Sequence, residues 1–587
     1  MAYIYVDNKK ASDNQNNQDG SVANPYATIG QAAMTAKPGD TVIVKDGVYR
    51  ERVCPEYGGE QGNQIIYKSE HYGKAVIKGS NIFTGIFEIF DKTADIYSIY
   101  LPREEYGQTF YVPLADTFTI PEHYADWQEE YRPKMVNGQI SYGDRSMYPA
   151  LCLGQVFING ESLYEKTNLK SLYAKENSWF FDKTDGMLYI RYKNINDNSN
   201  LIELTVRNRV FTPKKRGLGY ITVDGFMISH CGNQFPASFW SNPENAQAGA
   251  VGTRSGHHWH ICNNIITHIK TIGIDIGCEC RDSDEDIHGG YPRVPINKIR
   301  NHVIENNRLY DCGACAITGL GHYNSVIANN YIEKSNSLNF SSPETAGIKF
   351  HYCYDADIYG NTVIDSNCDG IWLDNIYTGS KVHHNNLIRC GTSGIFLELG
   401  KGPVEVHNNF IYQTRRGLYA PDPRGSGIYA HDAEGIHAHD NVISECEEFG
   451  IYMRVVTNRW SGEDDDNPQK QAMNTANCVI ENNTLNRNKS GEICFPAKGP
   501  RCYNNIIRNN VFIGDNEDIK MAISAYGSFN EDPAAMERKK TELIAWYEKR
   551  YGKKPRLWPN QDYFAGIFVS LKEWYDFYAD EADENGN

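Results

Sequence analysis

Between residues 347 and 454 the chain repeats a five-residue unit in which apolar and polar positions alternate. The units read Gly347-Ile-Lys-Phe-His351, Gly370-Ile-Trp-Leu-Asp374, Gly394-Ile-Phe-Leu-Glu398, Gly427-Ile-Tyr-Ala-His431 and Gly450-Ile-Tyr-Met-Arg454. Their second and fourth places are apolar throughout, and a period of two is the signature of a β-strand with one face turned inward. The glycines stand 23, 24, 33 and 23 residues apart, so one unit recurs with ten extra residues in the third interval. Short strands at a period in the low twenties predict a solenoid whose turns stack on one another. Equivalent positions of adjacent turns then lie about 4.8 Å apart. Asp374 and Glu398 become neighbours on adjacent coils, and two carboxylates face outward side by side.

The third and fifth places of each unit share that outward face. The third are Lys349, Trp372, Phe396, Tyr429 and Tyr452; the fifth are His351, Asp374, Glu398, His431 and Arg454. A column of exposed aromatics beside charges predicts a platform for a sugar ring. A second signal recurs in each coil, an asparagine at Asn263-Asn264, Asn306-Asn307, Asn329-Asn330, Asn361, Asn385-Asn386, Asn408-Asn409, Asn441, Asn482-Asn483 and Asn504-Asn505. Asparagine tolerates the left-handed conformation and bonds nearby backbone, so it belongs at tight turns, where stacked copies can bond one another.

Outside the repeat the pattern changes twice. Asn24-Pro-Tyr-Ala-Thr-Ile-Gly30, Pro38-Gly-Asp-Thr-Val-Ile-Val44 and Gly47-Val-Tyr49 resemble the opening of many right-handed parallel β-helix proteins. The fold expected is therefore all-β, a right-handed parallel β-helix solenoid interrupted by a β-sandwich-like domain. Its parts are N-terminal coils over 1–83, the insertion over 84–212, the main helix with the site over 213–515, and a partly helical extension over 516–587. Alternating segments such as Val156-Phe-Ile158, Trp179-Phe-Phe-Asp182 and Met187-Leu-Tyr-Ile190 carry the insertion as antiparallel strands. Interruptions at 331–346, 415–426 and 455–475 predict loops gathered on one face. Residues 532–550 read as helix.

A chain of 587 residues exceeds one ordinary core, which fits a repeat domain with additions. The net charge of -16 disfavours nucleic acid and anionic membranes as partners. No basic segment followed by an apolar one opens the sequence, and no run of 18 apolar residues occurs, so a cytoplasmic protein is expected. The 15 cysteines are odd in number and scattered. Cys312, Cys368, Cys390 and Cys446 fall just before the glycine position, as small buried thiols would. Cys278 and Cys280 are too close and too isolated for a zinc site.

Two carboxylates roughly 5 Å apart suit a retaining glycosidase, in which one attacks the anomeric carbon and the other protonates the leaving oxygen. An inverting enzyme needs roughly 6.5–9.5 Å, two coils rather than one. The Asp374 and Glu398 units, on a β-helix interrupted early by a sandwich, resemble glycoside hydrolase family 120, the β-xylosidases, over about residues 1–515. That resemblance implies Asp374 as nucleophile, Glu398 as acid/base and His351 from the preceding coil. It also implies release of xylose from the non-reducing end of xylo-oligosaccharides with retention, no cofactor and no metal in the chemistry. Register and loops add Lys349, Trp372, Phe396, Arg424, His431 and Arg454 as substrate-binding residues, and leave a homo-oligomer open. Two alternatives stand beside this reading. One is a β-helix lyase acting on a uronate polymer, for which Lys349 or Arg454 would be the base. The other is a non-catalytic β-helix that binds carbohydrate.

Overall fold

The computed structural model describes residues 2–10, 18–114, 134–136, 139–141, 151–234, 248–279, 294–339, 344–416, 425–455, 459–464, 467–514, 520–525, 533–557 and 566–584. The chain forms two compact units. The first comprises Met1–Tyr131, Asp144–Val326 and Asn330–Ser342; the second comprises Arg132–Gly143, Ile327–Asn329 and Pro343–Asn587.

In the first unit, parallel strands stack into coils. Tyr3–Val6, Thr41–Val44, Ile65–Ser69, Ile221–Asp224, His260–Cys262 and Val303–Glu305 follow one another along one sheet. Gly47–Tyr49, Ala75–Lys78, Met227–Ser229, Ile265–Ile269, Arg308–Cys312 and Tyr331–Ser335 do the same along a second. Ile221 pairs directly with Ile65, and Met227 with Val76, so the stack continues as though residues 80–205 were absent. Those residues build two small sheets of their own. Ser80–Ile82, Ile202–Thr205, Val156–Ile158 and Glu161–Ser162 pair antiparallel. Glu88–Asp91, Ile96–Tyr100, Met187–Arg191 and Ser178–Asp182 pair antiparallel in turn, with Tyr164–Glu165 added parallel at the edge. Phe110, Trp179, Leu188, Ile190 and Leu204 share one core among them.

The second unit repeats the coil architecture. One sheet runs Asp357–Tyr359, Lys381–His383, Val404–His407, Ile436–His439, Val479–Glu481 and Ile506–Arg508. Another runs Ala346–Tyr354, Asp369–Asp374, Ser393–Glu398, Ser426–His431, Phe449–Arg454, Gly491–Pro496 and Lys520–Ser524, all parallel. Gly566–Ser570 then pairs antiparallel with Lys520–Ser524, and helices occupy Pro533–Tyr551 and Leu571–Glu584. No helix among the described residues is long and apolar enough to cross a membrane.

Paired asparagines divide their labour. The first of a pair, as at Asn263, Asn306, Asn329, Asn408 and Asn482, takes a positive φ at the turn. The residue after it is buried and bonds its copy in the next coil; in Asn385-Asn386 the buried one is Asn385, and His384 before it takes the positive φ. Asn361, Asn385, Asn409, Asn441 and Asn483 pass side-chain N–H to side-chain carbonyl at 2.9–3.0 Å, and each also donates to a strand carbonyl. Asn264 and Asn307 do so in the first unit. Fully satisfied amides thus run up the interior, where an unpaired one would be costly.

The repeat glycine has an equally local cause. A Cβ on Gly370 would lie 2.5 Å from the carbonyl oxygen of Gly394, and one on Gly394 would lie 2.7 Å from that of Gly427. Coils at strand spacing leave no room for a side chain there. The thiols behind it, Cys368, Cys390 and Cys446, are buried, and the described cysteines form no disulfide with one another.

The expected exposed aromatic platform is not what forms. Trp372, Phe396 and Tyr452 are each 2 % exposed and Tyr429 is fully buried. Each ring packs on the next at 4.6, 4.8 and 5.2 Å between centroids, within a cluster that also takes in Phe449 and Phe568. Alternation correctly turned these rings away from the coil interior, but they bury one another and lie under the C-terminal strand. Phe396 has Trp372 on one side and Tyr429 on the other, so it offers no face to a sugar.

Candidate active site

Exact strand register puts the fifth places in one column. His351 pairs with Asp374, Asp374 with Glu398, Glu398 with His431 and His431 with Arg454, the ten extra residues of the third interval notwithstanding. Lys349 stands two residues before His351 on the same face, so its side chain reaches the same carboxylate.

Asp374 is the centre of the charged cluster. Lys349 Nζ donates to its Oδ2 at 2.8 Å, and His351 Nδ1 lies 3.0 Å from the same oxygen. Asn375 Nδ2 donates to Oδ1 at 3.0 Å. Burial alone would push this carboxyl up, but the Lys349 ammonium and the His351 imidazole outweigh it and hold the group well below the usual carboxylate range. Asp374 is therefore an anion in a site that solvent barely reaches. Lys349 lies with its Nζ 3.0 Å from the centroid of the Trp372 indole, so the buried aromatics serve to fix the ammonium.

Glu344 closes the far side of the cluster. Its Oε2 lies 2.9 Å from His351 Nε2 and 3.4 Å from Lys349 Nζ. Here too burial opposes the charge, and Lys349 and His351 win, lowering the carboxyl. His351 thus spans two carboxylates, one at each ring nitrogen. Glu344, His351 and Asp374 are close enough to hold a metal ion. The Lys349 ammonium already lies against both carboxylates, however, and a divalent ion beside it would meet strong repulsion.

Glu398 has a different environment. Arg459 Nη1 donates to its Oε1 at 2.5 Å, and His431 Nδ1 stands 3.9 Å away. Glu398 Oε2 makes no hydrogen bond among the described residues. Arg459 comes from the interruption after the fifth repeat unit. That segment is tied to the column's coils by Ser461 Oγ donating to the Asn375 carbonyl at 3.0 Å and by Thr378 Oγ1 donating to Glu463 at 2.7 Å.

A family model described as "Right handed beta helix region" matches residues 248–420. The fold is a right-handed parallel β-helix. Among solved structures, "The complex structure of XylC with xylose" aligns with a TM-score of 0.67 at 22 % identity, covering 88 % of this chain and 87 % of that one. A structure described as "Glycoside hydrolase" aligns with a TM-score of 0.50 at 12 % identity, covering 87 % and 96 %. Among curated proteins, the uncharacterized protein YwoF of Bacillus subtilis (strain 168) is 26 % identical over 86 residues, 15 % of this chain. The match spans 18 % of that relative's length.

The β-helix thus brings Lys349, His351, Asp374, Glu398 and His431 into one column. Arg454 is directed elsewhere: it is 6 % exposed and its Nη1 donates to Tyr429 Oη at 2.8 Å, bracing the aromatic stack. Trp372 carries Lys349, and Phe396 lies within the stack. Arg424 lies outside the described residues, as do 340–343 and 417–424 of the loops expected to wall the site. Two residues of the β-helix site escaped the repeat pattern. Glu344 precedes the first unit, and Arg459 follows the last, so neither occupies a repeated position.

Proposed function

We propose that this chain is a retaining, exo-acting β-xylosidase. Asp374 is the nucleophile and Glu398 the acid/base. The observation that carries this reading is the in-register pairing of Asp374 with Glu398 on adjacent strands. Adjacent strands are about 4.8 Å apart, close to the roughly 5–5.5 Å between the carboxyl groups of retaining enzymes. Asp374 is held as the anion that attack requires. Its Oδ2 is taken up by Lys349 and His351, while Oδ1 carries only the neutral Asn375 amide and is the oxygen free to approach the anomeric carbon.

Glu398 offers Oε2 to the glycosidic oxygen. When that group leaves, Glu398 gives it a proton; the glycosyl-Asp374 ester is then hydrolysed by water, whose proton Glu398 takes back. Arg459 on Oε1 orients the carboxyl for both steps. Asp374 and Glu398 are 4 % and 8 % exposed, which supports a closed pocket taking a chain end over an open cleft taking a mid-chain. His431, beside Glu398, is within reach of hydroxyls of the bound sugar, whereas the Lys349 ammonium is taken up by Asp374, Glu344 and the Trp372 ring. The fold neighbour solved with xylose supports a pentose in the pocket.

The test is chemical rescue on nitrophenyl β-xyloside. Glu398→Ala should retain cleavage of this good leaving group and, with azide, give β-xylosyl azide. Asp374→Ala should lose turnover of every substrate, and azide should return only the α-product. Reversed stereochemistry in the two variants means the roles are exchanged. Losses under about tenfold, roughly 1.4 kcal/mol of barrier, in both variants mean the column is not the active site.

A further inference from the structure

The first unit holds a cleft that the carboxylate column does not use. It opens between the strand Tyr164–Glu165 and the coils at Ile265–Ile269 and Arg308–Cys312, and its volume is about 440 Å³. Small-molecule sites typically measure roughly 300–1,000 Å³.

Its floor is an ion pair. Lys270 and Glu165 are 4 % and 7 % exposed, with Lys270 Nζ 2.5 Å from Glu165 Oε2. Glu165 Oε1 accepts the Cys152 N–H at 2.8 Å, and Lys270 donates also to the Gly154 carbonyl at 3.3 Å. An ammonium has three donors. One N–H of Lys270 therefore has no acceptor among the described residues, and Lys270 lines the cleft. Burying a pair of charges is expensive, and an apolar pair of similar volume often serves stability as well. A buried ammonium with a spare donor at the bottom of a cleft points instead to a ligand oxygen.

The walls narrow the choice of ligand. Tyr164 is 44 % exposed, with Lys175 Nζ 4.4 Å from its ring centroid, and Tyr310 also lines the cleft. Glu161 and Asp311 add two carboxylates. An anionic ligand would meet both, while Lys270 is already neutralised by Glu165. A neutral polyhydroxylated ligand suits every group: its hydroxyls donate to carboxylates and accept from the ammonium, and its C–H faces lie on tyrosine. We propose that this cleft binds a neutral oligosaccharide, admitting one or two sugar rings, through residues other than those of the catalytic column. The inference does not rest on the reading of Asp374 and Glu398.

Calorimetric titration of xylotetraose into full-length Asp374→Asn protein tests it. Adding Tyr164→Ala should weaken one binding event at least tenfold, and Ser162→Trp, which fills the mouth, should abolish it. In the wild-type background both substitutions should leave hydrolysis of nitrophenyl β-xyloside at its normal rate. Should that hydrolysis be absent altogether, the catalytic reading fails while binding sensitive to Tyr164 and Ser162 still upholds the cleft. Binding indifferent to both substitutions overturns the proposal. So does displacement of the sugar by spermidine, which would make the cleft a cation site.

Discussion

Asp374 meets two opposing forces, and which of them wins can be measured. Removal from water favours its neutral form; Lys349 and His351 favour the anion and prevail. A carboxyl whose folded pKa lies below its ordinary value of 3.8 adds stability at every pH above that value. The contribution is lost as pH falls through about 4 towards the lower folded value. Urea midpoints recorded from pH 5 to pH 2 should therefore fall more steeply for the wild type than for Asp374→Asn, and parallel curves would refute the ion pair's contribution. Phe396 gives a second test at this scale. Packed between Trp372 and Tyr429, it should cost about 3–5 kcal/mol of stability when replaced by alanine, as large core truncations do. A sugar platform would behave in the opposite way, with KM raised and the melting temperature unchanged.

The elements of the second unit were legible where periodicity carried the message and hidden where it did not. Gly347 to Arg454 announced strands, their register and the Asp374–Glu398 pair, because an alternation of two repeated at coil spacing admits one stacking. The same alternation located Trp372 and Phe396 on the outer face but carried no information on what covers that face, since Phe568 follows Phe396 by 172 residues and Trp372 by 196. Glu344 and Arg459 stayed invisible for the same reason: they reach the column from non-repeated segments. Asparagine shows how finely the local signal can be resolved. Asn409 is buried, accepts from the Asn385 amide and side chain, and donates to Val382 and Asn441. Asn409→Ala should lose about 3 kcal/mol, from bonds worth about 1 each and the buried partners left unpaired. Its neighbour Asn408 supplies a left-handed turn, and Asn408→Ala should cost only about 1–2 kcal/mol. Equal losses in a denaturant titration would mean that the interior ladder is not what ties the coils.

At the scale of the whole molecule, the β-helix acts as a ruler. The interval from Gly394 to Gly427 is ten residues longer than its neighbours, yet Glu398 still pairs with His431. Loop length and side-chain spacing are thus uncoupled: segments of any size can leave and rejoin between coils, as residues 80–205 do in the first unit, without disturbing the column. Separations along the column consequently come only in whole steps of about 4.8 Å. One step between two carboxylates is close to the span of retention; two steps, about 9.6 Å, fall at the upper limit of the roughly 6.5–9.5 Å used for inversion. For the retaining β-xylosidase proposed above, moving the second carboxylate one coil along, by combining Glu398→Gln with His431→Glu, should turn any residual hydrolysis from β-xylose to α-xylose as first product, read by proton NMR. Continued release of β-xylose would show that something other than the step sets the outcome. On such a scaffold stereochemistry is an integer, and evolution could change it by counting coils, with no need to remodel a fold.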